Sequence, residues 1–208
     1  FCSATQAAGG YESTVGDEKL GNPALTQNEN EFVDAVLSGL DVFPAYYAHM
    51  GPANSLGPQD VDLEIPKPAD PESLRAAIDR GEWIVDLRSR EVFSQGHIPG
   101  SVNFDLDGAF INYLAWMMPW GTPLTLVGAT TQQIEAAMRE LARVGIATPK
   151  SQAVGDPRFW MADGELPAVT RRVDFDTVKT EWAARPDAIV MDARQILEWE
   201  NGHIEGAV

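Results

Sequence analysis

Reactive side chains are few in this 208-residue sequence. Cys2 is the only thiol, and His49, His97 and His203 are the only imidazoles. A lone thiol near a terminus, with no helix start directly after it, lacks the electropositive setting that makes a cysteine reactive, so Cys2 is not expected to act as a nucleophile. One cysteine cannot close an intrachain disulfide, which suits a reducing cytoplasm. The histidines stand apart, with no HxH or HExxH spacing, so no metal site is expected within this chain. Asp86 and Arg88 are more informative. They directly follow the apolar run Trp83-Ile84-Val85, and His97 comes eleven residues after Asp86. The carboxyl edge of a parallel strand is where an α/β sheet exposes polar groups. An imidazole between such a carboxylate and turn amides reads as a structural hydrogen-bonder rather than a catalyst.

The same spacing occurs twice. At a constant offset of 106, Asp86, Arg88, Gly96, His97, Ile98, Gly100 and Val102 recur as Asp192, Arg194, Gly202, His203, Ile204, Gly206 and Val208. That is seven identities over seventeen aligned positions, in register after a matching apolar run. The period is domain-sized and too long for a solenoid unit.

Stepwise punctuation predicts the elements that carry these groups. Residues 1–25, rich in Gly, Ala, Ser and Thr, read as loop. Thr26-Gln27-Asn28-Glu29 reads as a capping box opening a helix that carries Phe32, Val33, Val36, Leu37 and Leu40 on one face. Pro44 to Pro58 reads as irregular, and Ile65-Pro66-Lys67-Pro68 as a linker. Asp70 caps a helix with Pro71 at its first position and Leu74, Ala77 and Ile78 on its apolar face, ended by Gly81. Trp83-Ile84-Val85, Ser101 to Phe104, Leu124 to Val127 and Ala153-Val154 read as strands. A helix with Ile134, Ala137, Met138 and Leu141 lies before the last of them and ends at Gly145. Asp174 starts another helix through Phe175, Val178 and Trp182, followed by Ile189-Val190-Met191 as a buried strand. Strands alternating with helices predict an α/β fold: an open, mostly parallel sheet with helices on both faces.

Asp86-Leu87-Arg88 with Gly96-His97-Ile98-Pro99-Gly100-Ser101-Val102 resembles the amino-terminal signature of rhodanese-like domains. The resemblance covers one whole domain, residues 61–168, and the truncated start of a second, residues 169–208. It implies that Asp86, Arg88, His97, Gly100, Asp192, Arg194, His203 and Gly206 are structural signature positions. It also implies a sulfur-carrying cysteine in a loop between a buried strand and a helix, where backbone amides and the helix start stabilise an anion. The matching loop here is Gly128-Ala129-Thr130-Thr131-Gln132-Gln133. Gly128 stands at the cysteine position and Gln133 near that of a customary arginine. Sulfur transfer through a persulfide needs a thiolate, so this copy is expected to be catalytically degenerate, with residual anion binding as the remaining option for the loop. Thr130 or Thr131 is expected to cap the helix.

Residues 1–60 resemble the carboxyl-terminal part of a metallo-β-lactamase-fold hydrolase of the glyoxalase II and persulfide dioxygenase branch, which is fused to rhodanese domains. Cys2-Ser3, Ser13 to Lys19, Asn22 to Leu25, Pro44 to Tyr47, Met50, Asn54 and Gly57-Pro58 carry this resemblance. It places the metal ligands upstream of Phe1, so zinc or iron is implied for an upstream domain and no cofactor for this chain. Tyr46, Tyr47 and His49 read as packing residues.

With 15 Lys and Arg against 31 Asp and Glu, the formal charge is −16. Such a surface repels phosphate backbones, so no nucleic acid is expected, and no apolar run is long enough to span a membrane. The expected function is a non-catalytic rhodanese module of a metallo-β-lactamase/rhodanese fusion enzyme of sulfur or thiol metabolism. Its partners would be the upstream hydrolase domain, the rest of the second rhodanese domain and a low-molecular-weight thiol or persulfide, with homo-oligomerisation left open. Two rivals stand beside it. One is an active sulfurtransferase whose cysteine lies beyond Val208. The other is a module that binds an anion or an acidic peptide end.

Overall fold

A computed structural model describes residues 12–38, 43–57, 60–185, 187–194 and 196–208. Cys2 and the rest of residues 1–11 lie outside this range, as do Leu40 and Pro58. The chain forms two units, Phe1–Asp60 with Ala115–Trp120, and Val61–Leu114 with Gly121–Val208.

The first unit is helical. Residues read as loop form α1 (Val15–Gly21) and α2 (Pro23–Thr26). The signal was present in Thr14 and Asp17, a short capping box in which the Thr14 hydroxyl accepts from the Asp17 amide at 3.2 Å. The next helix, α3 (Glu29–Ser38), starts two residues later than the sequence suggested. Its box is Asn28 with Glu31, each side chain accepting the other's amide at 3.0 and 3.1 Å, while Thr26 is still in α2. The stretch from Pro44, read as irregular, contains α4 (Tyr47–Leu56) with Pro52 inside it. Tyr46 is buried and meets Tyr47 edge-on at 4.9 Å, and His49 stacks on Trp120 at 4.2 Å.

In the second unit α5 (Pro71–Asp79) starts as expected, with the Asp70 carboxylate accepting the Ser73 amide at 2.8 Å. The strands are β1 (Trp83–Asp86), β2 (Val102–Asn103), β3 (Leu124–Gly128) and β4 (Ser151–Val154), all parallel, in the order β2-β1-β3-β4. Between them lie α6 (Arg90–Gln95), α7 (Phe110–Met117) and α8 (Thr131–Arg143). Neither α6 nor α7 is legible as a periodic pattern. The first is under two turns long, and the second, Phe-Ile-Asn-Tyr-Leu-Ala-Trp-Met, is apolar nearly all round.

Strand alternation divides the core. Ile84, Val127 and Ala153 pack with Leu74 and Ala77 of α5, Ile98 and Trp160 on one face. Leu124, Leu126 and Gly128 point to the other, where α8 presents Ile134, Ala137, Met138 and Leu141. Each such large apolar side chain contributes about 1.5–3 kcal/mol on burial. The supposed linker at residues 65–68 is partly built into the sheet. Gln152 donates its amide to the Lys67 carbonyl at 3.0 Å and accepts from Ala69 at 2.8 Å. Proline is tolerated at such an edge because its missing N–H faces away from the ladder.

The second repeat folds differently from expectation. α9 (Phe175–Ala184) begins at Asp174 as read, and α10 (Ile196–Glu200) follows. Residues 189–191, however, form no buried strand: Ile189 and Met191 are 77% and 76% exposed. Their backbone still bonds to Val208, through Val208 N–H to the Val190 carbonyl at 2.9 Å and Asp192 N–H to the Val208 carbonyl at 2.8 Å. This is the parallel register of Met191 beside Val208. Moving back by 106 gives Val85 and Val102, which are partners across β1 and β2. β1 has β3 on its other side, whereas residues 189–191 have no second neighbouring strand among the described residues, so their side chains stay open.

Candidate functional site

Strand order reverses direction between β1 and β3, since the chain moves from β1 outward to β2 and then returns to β1's other side. In open parallel sheets the crevice at the carboxyl ends of two such strands is the usual place for chemistry. Both groups of residues singled out above lie there: Asp86 to Arg88 after β1, and Gly128 to Gln133 after β3.

The first group is a closed structural cluster. Asp86 is fully buried and Arg88 is 4% exposed. The Arg88 guanidinium meets the carboxylate with two parallel hydrogen bonds, Nε to Oδ1 at 2.9 Å and Nη2 to Oδ2 at 2.6 Å. Nη2 also donates to the Gly96 carbonyl at 2.8 Å, and the guanidinium lies 5.1 Å from the Trp160 ring centre. The Asn103 amide ties down the carbonyls of Asp86 and Arg88 at 3.0 and 2.8 Å. His97 is not the partner of Asp86, contrary to the expectation of an imidazole beside the strand-end carboxylate. Its Nδ1 is 2.9 Å from the Phe93 carbonyl, so that nitrogen carries the proton, and its ring stacks on Phe93 at 3.8 Å. Its backbone pairs with Ala168. Gly100 has φ +88, and a Cβ there would come within 2.9 Å of Ile78 on α5. Only glycine fits both the turn and that approach.

The second repeat rebuilds these contacts at an exposed site. Arg194 pairs with Asp192 at 2.9 and 2.6 Å and with the Gly202 carbonyl at 2.8 Å. His203 bonds the Trp199 carbonyl at 2.9 Å and stacks on its ring at 3.8 Å. Hydrogen bonds from Arg194 hold the Asp192 carboxyl at about 2, well below its ordinary value. Gly206 has φ +85 and faces Trp182 of α9, as Gly100 faces α5.

At the second group, buried β3 runs into Gly128 and α8 starts three residues later. Thr130 has extended backbone at the N-cap, its hydroxyl accepting the Gln133 amide at 3.4 Å, so Thr130 is the capping residue and Thr131 the first of the helix. The Gln133 side chain turns back, and its Oε1 accepts the Ala129 N–H at 2.7 Å. This contact is invisible in the sequence, although a long polar side chain at the third helical position is a known sign of reciprocal capping. In the next loop Gly155 donates to the Gly128 carbonyl at 3.0 Å. Beyond it Asp156 and Arg158 pair at 2.9 and 2.7 Å, which brings the Asp156 carboxyl down to about 2. The sequence reading assigned Asp156, Arg158, Asn103, Phe93 and Trp160 no role at the site. Asn103 and Trp160 reach it through contacts distant in the chain that no spacing rule marks, whereas Asp156 with Arg158 and Phe93 with His97 are local pairs, two and four residues apart.

Among the described residues no group of three or more His, Cys, Asp or Glu could hold a metal ion. None of their helices is long and apolar enough to cross a membrane.

Comparison with known proteins agrees with this geometry. Residues 70–154 match the family model of the rhodanese-like domain. A solved metallo-β-lactamase from Staphylococcus aureus subsp. aureus COL is 27% identical, with a TM-score of 0.54, over 69% of this chain and 40% of that chain. The chain therefore spans well under half of that protein's length. The Alr3790 protein from Anabaena sp. is 19% identical over 54% of this chain and 99% of its own, with a TM-score of 0.44. EanB in a complex with hercynine is 19% identical over 71% of this chain and 41% of its own, with a TM-score of 0.45. No curated protein matches the chain. With its parallel sheet, its Asp86–Arg88 cluster and the matched loop after β3, the chain contains a rhodanese-like domain at residues 70–154.

Proposed function

We propose that this chain is part of a metallo-β-lactamase/rhodanese fusion enzyme of sulfur or thiol metabolism, and that its residues 61–168 are a rhodanese module without catalysis of its own. Residues 1–60 would be the carboxyl-terminal part of the hydrolase domain, and residues 169–208 the start of a second rhodanese-like unit. Zinc or iron would belong to the hydrolase domain, and a small thiol or persulfide to its substrate class.

One observation carries the non-catalytic reading. Gly128, at the end of β3 and the head of the loop, offers no nucleophile, and its neighbours Ala129, Thr130 and Thr131 offer no thiol. Sulfane transfer breaks the donor's S–S bond and makes a new one on an enzyme thiolate; neither step has an acceptor atom here. The fusion reading is supported by the likeness to the S. aureus metallo-β-lactamase, whose 69% coverage of this chain exceeds the rhodanese-like match alone. A thiosulfate:cyanide sulfurtransferase assay on the whole chain should give the rate of the no-protein control. Turnover clearly above that control overturns the reading.

A further inference from the structure

We infer that Gln133 is an internal ligand of the loop after β3: its side-chain amide occupies the seat of an anionic group, and glycine at 128 is what lets it do so. The inference rests on the reading of residues 61–168 as non-catalytic and specifies how that site is closed.

Three observations carry it. The loop amides at the start of a helix seek an acceptor, and anions or carboxylates normally supply one. Here Gln133 Oε1 already accepts the Ala129 N–H, at a short 2.7 Å. The space beside Gly128 is taken by the same side chain. A Cβ at 128 would lie 3.1 Å from Gln133 Oε1, 3.5 Å from Gln133 Cβ and 3.6 Å from Ile134 Cδ1. The contacts to Gln133 Cβ and Ile134 Cδ1 would be ordinary, so the tight one is to Gln133 Oε1, and that side-chain end is the group that would shift by a few tenths of an ångström. The φ of Gly128 is not in the left-handed region, so a side chain at 128 would act through this space and not through backbone conformation. Residues 128 and 133 are thus a coupled pair, and the loop is shut against sulfate-like anions and carboxylate chain ends.

Amide hydrogen exchange on the whole isotope-labelled chain tests this. In Gln133→Ala the Ala129 amide should exchange about tenfold faster, equivalent to ~1.4 kcal/mol for the lost bond. Gly128→Ala should also speed it, and the double variant should be no faster than Gln133→Ala alone. Gln133→Glu, which keeps the acceptor at equal length, should retain the protection. Leu126 in β3 should stay protected throughout, which separates loop opening from unfolding; where a variant loses Leu126, Gln133→Glu decides. Sulfate titrated into the wild-type chain should leave the Ala129 resonance in place. Unchanged exchange in Gln133→Ala, additive effects in the double variant, or saturable movement with sulfate would each overturn the inference. Sulfurtransferase turnover with Ala129 still protected would instead refute the proposed function and leave the internal ligand standing.

Discussion

Replacing Arg88 by Ala is the most demanding test of the structural cluster. Arg88 supplies four side-chain hydrogen bonds to Asp86 and Gly96, at 2.6 to 3.1 Å, in a place where Asp86 is fully buried. In Arg88→Ala the carboxylate keeps the backbone amide of residue 88, at 3.0 Å, and loses its counter-charge. Removing one partner of a buried ion pair costs about 3–5 kcal/mol because the remaining charge cannot be solvated. At an ordinary urea dependence of about 2 kcal/mol per molar, the unfolding midpoint should fall by about 2 M. Native-state exchange of the Leu126 amide against urea reads this core directly. Two controls sharpen the result. The apolar pair Asp86→Leu with Arg88→Met should cost much less than the single Arg88→Ala, since it leaves no orphan charge. Arg194→Ala, in the exposed copy of the same motif, should move the Leu126 reading hardly at all. A midpoint shift below about 0.5 M in Arg88→Ala would refute the argument that Asp86 depends on this guanidinium.

Two further expectations follow from the same geometry. Gly100→Ala should destabilise by about 1–3 kcal/mol, because φ +88 strains any side chain and the new Cβ would press on Ile78; an unchanged Tm would contradict this. Asp156 should titrate near 2 by carboxyl NMR, since hydrogen bonds from Arg158 depress it. A depressed carboxylate contributes stability above its unfolded value near 3.8, and this is lost as pH falls from about 4 toward 2. Arg158→Ala should return the midpoint to the ordinary range; a wild-type midpoint already there would refute the pairing.

How far the fold was legible depends on whether its signal was local. Asp70-Pro71, Asp174 and Thr130 start helices because a cap is decided within four residues. The runs at β1 and β3 are apolar without alternation because both faces are covered, and that made them readable as parallel strands. Errors came where two local signals competed. Thr26 with Glu29 and Asn28 with Glu31 are both plausible boxes; the second won because Thr26 was already committed to α2, its hydroxyl bonding the Asn22 carbonyl. The residue composition around Pro52 argued for a break, yet α4 forms around it.

By itself, then, the sequence determined the repeat, its register and the strand-loop-helix that runs from β3 through Gly128 into α8. These are matters of residue type at a fixed spacing, and covalent order is enough to state them. Only the tertiary structure decided who bonds to whom. It gave Asp86 to Arg88 rather than His97, placed Trp160 beside that guanidinium from seventy-odd residues away, and turned Gln133 back onto the Ala129 amide. It also left Met191 open where its counterpart Val85 is fully buried, though the sequences run in parallel. The reason is the same in each case. A buried polar group takes whichever partner the packing brings within about 3 Å, and an apolar strand is buried only when neighbouring elements cover it; neither condition is written in the local sequence.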